Sequence, residues 1–192
     1  MNKDKFKNLF YPTIVLLLIC LFSSFLLALT NQVSLPLIEQ IKIDNENKAK
    51  KTIVSEANEF SDVMSLNYNG QDYQYYEAYN ENNEKIAYIF TTSGKGYGGD
   101  VVVMSGIDMN GNITGINFLQ LNETAGLGMR ANSPDFMKQF TGLNADSGFT
   151  LVKSKAGDNE VQALTGATIT SNAVSDACKT AFELYKSLEG GK

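Results

Sequence analysis

The sequence contains no histidine. That removes imidazole acid–base catalysis, the Ser-His-Asp triad and histidine-ligated metal sites. Cysteine is nearly absent too, at two residues, too few for an iron–sulfur cluster held by thiolates alone. Cys20 falls inside an apolar run and Cys178 in the C-terminal region. One belongs at membrane depth and the other in a folded domain, so no disulfide joins them in this reading, and Cys178 reads as a small core residue. An excess of positive charge is also missing. The formal net charge is −5, and Lys3, Lys5 and Lys7 crowd the first ten residues, so the remainder is more acidic still. A nucleic-acid-binding surface is excluded on that balance. No Rossmann fingerprint for NAD, a glycine-rich turn leading from a strand into a helix, is present, and no internal repeat or low-complexity tract. What remains is 43% hydrophobic and 19% charged, the composition of a folded chain rather than a disordered tail. Its 192 residues suit one domain plus a small extra element.

The extra element is apolar. No charged residue occurs from Leu9 to Ile38, and the densest part runs from Tyr11 to Leu29. About 20 such residues, at about 1.5 Å of helical rise each, cross a bilayer core. The run exceeds the usual apolar core of a cleaved signal peptide, and Thr30-Asn31-Gln32-Val33 after it is no small-x-small cleavage site. Ile19 before Cys20 argues against a lipoprotein signal. A retained anchor over residues 1–36 is therefore expected. Lys3, Lys5 and Lys7 place the N-terminus in the cytoplasm and the following domain on the outer side by the positive-inside bias. The span carries no charge, so it forms no ion path by itself.

Beyond the anchor, Ile38, Ile41, Ile53, Ala57, Phe60 and Met64 give a broken 3.6-residue pattern, which predicts a helical connector over 37–66. The remaining residues, 67–192, form one domain. Strands are expected over 72–92, around an Asn-Glu-Asn-Asn turn. A hairpin follows, with Val101-Val102-Val103 and Ile113 to Phe118 joined around Asn110-Gly111. Phe136 to Phe140 predicts a short helix. The clearest element runs from Ser171 to Leu188, where Val174, Ala177, Ala181, Leu184, Tyr185 and Leu188 share a face. Thr170 or Ser171 can cap its start, Asp176 suits its early turns, and Gly190-Gly191 ends it. The fold class is α+β: one N-terminal transmembrane helix, then a single domain with an antiparallel sheet and packed helices.

Two strings carry the chemistry. Leu164-Thr165-Gly166-Ala167-Thr168-Ile169-Thr170-Ser171 is a turn of small and hydroxylated residues running into a helix N-terminus. Free N–H groups and the helix dipole there favour an anion. Gly166 and Ala167 leave room for a phosphate, and the hydroxyls of Thr165, Thr168, Thr170 and Ser171 can donate to its oxygens. Taken alone, the string reads more readily as an ordinary capped helix start preceded by a turn. The second string is Asn122-Glu123-Thr124-Ala125-Gly126-Leu127-Gly128. Its two glycines permit a tight loop close to a flat ligand, with the Glu123 carboxylate at the edge. Taken alone, it is also a plain strand-to-helix connection.

Together, and in this order with the Gly96-Tyr97 turn, the Asn110-Gly111 hairpin and Phe136…Gln139-Phe140, these strings resemble the FMN-binding domain family. The resemblance is most specific to G subunits of Rnf-type ferredoxin–NAD oxidoreductases, and the C subunits of sodium-translocating NADH–quinone oxidoreductases are similar. It covers nearly the whole chain. It implies FMN joined through its phosphate to the hydroxyl of Thr168, the last residue of Thr165-Gly166-Ala167-Thr168, by a flavin transferase that uses FAD and a divalent metal. It also implies that Glu123, Thr124, Gly126, Leu127 and Gly128 surround the flavin beside Thr165, Gly166, Ala167, Thr170 and Ser171. Three positions depart from the family pattern. Gln162 stands where Asp is frequent, Ala125 where Pro is frequent, and Gln120 where His is frequent.

The function implied is electron relay: a covalent FMN subunit that works with other membrane subunits of an ion-translocating complex, with no catalytic residue or metal site of its own and no complete activity alone. Two alternatives are a membrane-anchored flavoprotein of another extracellular electron-transfer chain and a non-redox module that binds a phosphate ligand or serves assembly. A hydrolase is the weakest rival, since no histidine can serve it.

Overall fold

The computed structural model describes residues 3–190, with side chains from residue 10 onward. The side chains of Lys3, Lys5 and Lys7, and Gly191 of the expected helix stop, lie outside the described residues. The chain divides into two compact units, Met1–Asp44 and Asn45–Lys192. Helix α1 (Lys3–Ile53) supplies the first unit and the opening of the second. In the first unit, Leu16, Phe22, Phe25 and Leu27 are all exposed, as a helix facing lipid requires. Among the described residues it is the one helix long and apolar enough to cross a membrane.

The second unit begins with a correction. The helix expected to reach residue 66 stops at Ile53. Residues beyond it form β1 (Glu59–Phe60) and β2 (Met64–Tyr68), both antiparallel to β3 (Gln71–Tyr79). Along β2 the half-buried and exposed positions alternate strictly. Met64, Leu66 and Tyr68 thus follow a period of two, which the apparent helical spacing of Ala57, Phe60 and Met64 obscured. Pairing to β3 decides the matter, because tertiary hydrogen bonding overrides weak local propensity.

The other expected elements form. Strands β4 (Lys85–Lys95), β5 (Asp100–Asp108) and β6 (Ile113–Gln120) extend the sheet in the order β1-β3-β4-β5-β6, all antiparallel. The β5–β6 turn closes as Asp108 Oδ1 accepts the N–H groups of Asn110 and Asn112, each at 2.8 Å. Alternation along β4 sends side chains to two faces. Tyr88 and Phe90 point into one core with Val101, Val103 and Ile107. Ala87 and Ile89 point into a second core with Ala49, Ile53, Val54 and Tyr76. The end of α1 covers that second face. There the Lys50 ammonium lies 4.0 Å from the centre of the Tyr76 ring, and the Tyr76 hydroxyl donates to Glu46.

Helix α3 (Thr168–Glu189) covers the first face, burying Val174, Ala177, Cys178, Ala181 and Leu184. Thr92 Oγ1 of β4 donates to the Ala177 carbonyl at 2.9 Å. The approach is closest at Gly94, where a Cβ would stand 2.7 Å from the Ala173 carbonyl carbon, so only glycine fits. Cys178 is indeed a core residue. Its Sγ lies 3.8 Å from Ser105 Oγ, and burial pushes its thiol up to about 12.

Between β6 and α3, a 3-10 turn (Gly128–Asn132), the short helix α2 (Pro134–Met137) and a second 3-10 turn (Lys138–Phe140) lead to a parallel pair, β7 (Thr150–Val152) and β8 (Glu160–Gln162). Phe136, Phe140, Phe149 and Phe182 pack edge to face in series, with centroids 5.4 to 6.1 Å apart. The Gln139 side chain clamps β8: its Oε1 accepts the Gln162 N–H at 2.7 Å. That clamp fixes the start of the segment that carries Thr165 to Thr168.

Candidate flavin site

Three segments meet at the N-terminal end of α3. They are the β4–β5 turn with Tyr97, the loop after β6 with Glu123 to Gly128, and the Gly166–Thr170 segment. Together they line a cavity of about 540 Å³ formed by Tyr97, Glu123, Thr124, Leu127, Gly128, Gly166, Ala167, Thr168, Ile169 and Thr170. Tyr97, Leu127 and Ile169 are exposed large hydrophobic residues, so the mouth is apolar, while the inner wall is hydroxyl and carboxylate.

The helix start differs in detail from its expected capping. The residue before the first turn is Ala167, and no side chain caps that turn. The N–H groups of Thr168, Ile169 and Thr170 therefore lack intrahelical partners, as first-turn donors always do. Neither Thr170 nor Ser171 serves as the cap. Ser171 Oγ instead ties the turn together, accepting the Leu164 N–H at 2.9 Å and donating to the Ala167 carbonyl at 3.0 Å. Gly166 adopts φ +80°, a left-handed conformation that glycine reaches without a Cβ penalty. The Thr168 side chain is exposed and borders the cavity.

Glu123 holds the segments to one another. Its Oε1 accepts the N–H groups of Tyr97 at 2.8 Å and Gly98 at 3.3 Å, and its Oε2 accepts the Thr170 hydroxyl at 3.0 Å. The hydroxyls of Thr170 and Ser171 are thus committed within the protein, leaving those of Thr168 and Thr165 exposed. Of the sequence-derived site residues, Glu123, Thr124, Leu127, Gly128, Gly166, Ala167, Thr168 and Thr170 share the cavity. Thr165 borders a neighbouring cleft with Arg130, Gln139, Lys155 and Gln162. Gly126 shapes the loop at φ +76° without lining the cavity, and Ser171 is buried beneath it.

Tyr97 and Ile169 line the cavity without having been expected as site residues. The signal for each was its setting: a lone aromatic at the tip of a glycine turn, and an apolar side chain among hydroxylated ones.

The arrangement fits a flavin mononucleotide. Uncapped N–H groups suit a phosphate, the exposed Thr168 hydroxyl offers an attachment point, and the apolar mouth suits a flat aromatic ring.

Comparison with known proteins agrees. Residues 96–183 match the FMN-binding domain family. The chain is 34% identical over 193 residues, covering the full length of both proteins, to the G subunit of the proton-translocating ferredoxin:NAD(+) oxidoreductase complex of Clostridium ljungdahlii. It is 33% identical to the G subunit of the Na(+)-translocating complex of Acetobacterium woodii, over 95% of this chain and 94% of that one. Its fold resembles the crystal structure of the C subunit of Na(+)-translocating NADH-quinone reductase from Parabacteroides distasonis, with a TM-score of 0.54 and 23% identity over 72% of this chain and 88% of that one. An α+β domain with these cavity residues, matched from end to end at such identity, belongs to the family of G subunits of ion-translocating ferredoxin:NAD(+) oxidoreductase complexes.

Proposed function

We propose that this chain is a membrane-anchored electron-relay subunit carrying FMN as a phosphoester on Thr168. The observation that carries the reading is the position of the Thr168 hydroxyl: exposed, in the uncapped first turn of α3, at the edge of an apolar cavity. The first-turn N–H groups hold the phosphate oxygens, and the helix dipole lowers the cost of their charge. Tyr97, Leu127 and Ile169 hold the ring and limit water around it. Bound FMN supplies reversible acceptance of one or two electrons. The protein supplies place and potential.

Attachment is a transfer from FAD by a flavin transferase. The Thr168 Oγ–P bond forms, the diphosphate bond breaks, AMP leaves, and the hydroxyl proton passes to a base on the transferase. The N-terminal lysines support a cytoplasmic N-terminus and an outer-face domain, where an ester keeps a cofactor that could not be readily replaced. The end-to-end similarity to G subunits supports a place among the other membrane subunits of such a complex. Residues 1–36 act as anchor and the remainder as connector and flavin domain.

The test is co-expression with a flavin transferase, followed by denaturation and a gel viewed under ultraviolet light. Wild type is expected to fluoresce and Thr168→Val to stay dark. A dark wild-type band beside a flavinylated control protein would overturn the covalent reading and favour reversible binding of a phosphate ligand.

A further inference from the structure

The carboxylate of Glu123 is unusual in what surrounds it. Its partners are two backbone N–H groups and one hydroxyl, which an ionised carboxylate accepts without giving anything back. Among the described residues it has no ion-pair partner. The three donors hold the carboxylate in one orientation. A Cβ on Gly128 would stand 2.6 Å from both Glu123 Oε2 and Thr170 Oγ1, so the backbone closes directly against the bracket. The carboxylate therefore forms a fixed, unpaired negative charge in the wall of the cavity that Tyr97, Leu127 and Ile169 line.

Resting on the flavin reading above, we propose that Glu123 is a positioning and potential-setting residue. It locks the β4–β5 turn, the loop after β6 and the start of α3 into one pocket wall, and its charge opposes electron addition to the ring, holding the flavin's potential low. The physical reason is direct. Adding an electron places negative charge near a carboxylate that the protein cannot reorient, in surroundings less polar than water, where like charges repel more strongly. A hydrogen-bonded carboxylate that only shaped the pocket would have no such electronic effect.

Glu123→Gln separates shape from charge. The amide is isosteric: its oxygen accepts the Tyr97 and Gly98 N–H groups, and its NH₂ donates to the Thr170 hydroxyl, which can accept as well as donate. Thr170→Val is the complement, since it removes one bracket bond and keeps the charge. The full-length proteins would be flavinylated, purified in detergent and titrated with dithionite while the flavin absorbance is followed. Glu123→Gln is expected to favour the reduced flavin at least tenfold, which is about 59 mV for a one-electron step, and Thr170→Val to match wild type or shift the opposite way. A flavin-loaded Glu123→Gln protein with wild-type potential would overturn the proposal and leave the flavin reading intact. A rise above wild type in Thr170→Val would also overturn it, because loosening of the bracket with the charge kept would then raise the potential; this readout stands even if Glu123→Gln does not fold. A wild-type protein without flavin would overturn both this proposal and the reading it rests on.

Discussion

Replacing Gly94 with alanine tests how closely α3 sits on the sheet. The new Cβ would stand 2.7 Å from the Ala173 carbonyl carbon and 2.8 Å from its Cα. Ordinary contact begins near 3.4 Å and the Ala173 carbonyl oxygen lies nearer than its carbon, so backbone must retreat by more than about 0.7 Å, a case of overpacking. The helix cannot do so freely. Val174, Ala177, Cys178 and Ala181 are fully buried around that point, and the Thr92 hydroxyl holds the Ala177 carbonyl. Overpacking of this kind costs about 1–3 kcal/mol. For a domain of this size each kcal/mol lowers Tm by about 2–4 °C, so scanning calorimetry is expected to show a loss of about 2–12 °C. Ala173 lies one turn beyond Thr168 to Thr170, so the same shift displaces the cavity wall, and flavin loading by the transferase is expected to fall. Ser93→Ala, at an exposed neighbour, is the control. A Gly94→Ala protein that melts with wild type would show that α3 and β4 do not meet as described.

Further outcomes follow from other contacts. Phe140→Ala removes a fully buried ring between Phe136 and Phe149 and is expected to cost about 3–5 kcal/mol, read from the shift in a denaturant midpoint. In a Cys20→Ser background, Cys178 should resist thiol reagents at pH 8 until the protein unfolds, since burial holds its thiol near 12; rapid labelling of the folded protein would contradict its burial. Tyr76, Tyr88 and Tyr185 are all shifted upward, chiefly by burial. The unfolded chain loses these protons near pH 10 while the folded one retains them, so stability should fall as pH rises above about 10. Tyr76→Phe should flatten part of that fall in urea melts at pH 8 and pH 11. Leu127→Ala and Ile169→Ala should keep the covalent flavin but expose it to iodide quenching, as expected if these side chains form the mouth.

The helix over Ser171 to Leu188, the Asn110-Gly111 hairpin and the long apolar N-terminal helix were legible because each rests on local pattern: apolar period, turn chemistry, or unbroken hydrophobicity. The strands at 59–68 were not. Their identity depends on β3, which lies later in the chain, and Ala57, Phe60 and Met64 mimic a helical face until that partner is known. The site shows the same division. The position of Thr168 at the start of α3 could be read from its string, because small and hydroxylated residues before an amphipathic run mark a helix start. The separate duties of the hydroxyls could not. Thr170 is engaged by Glu123, 47 positions away, and Ser171 by Leu164, which only the folded arrangement reveals. Tyr97 reaches the cavity through the register of β4 on β5, where Lys95 faces Asp100, a pairing that places the glycine turn over the start of α3.

Everything proposed for the site depends on the bond between Thr168 and FMN. Its decisive measurement is proteolysis of the flavinylated, full-length protein, followed by mass spectrometry of the peptide containing Thr165 to Thr170. The expected peptide is heavier by FMN less one water, with fragment ions placing the addition on Thr168. An unmodified peptide, or the same addition on Thr165, would contradict the assignment.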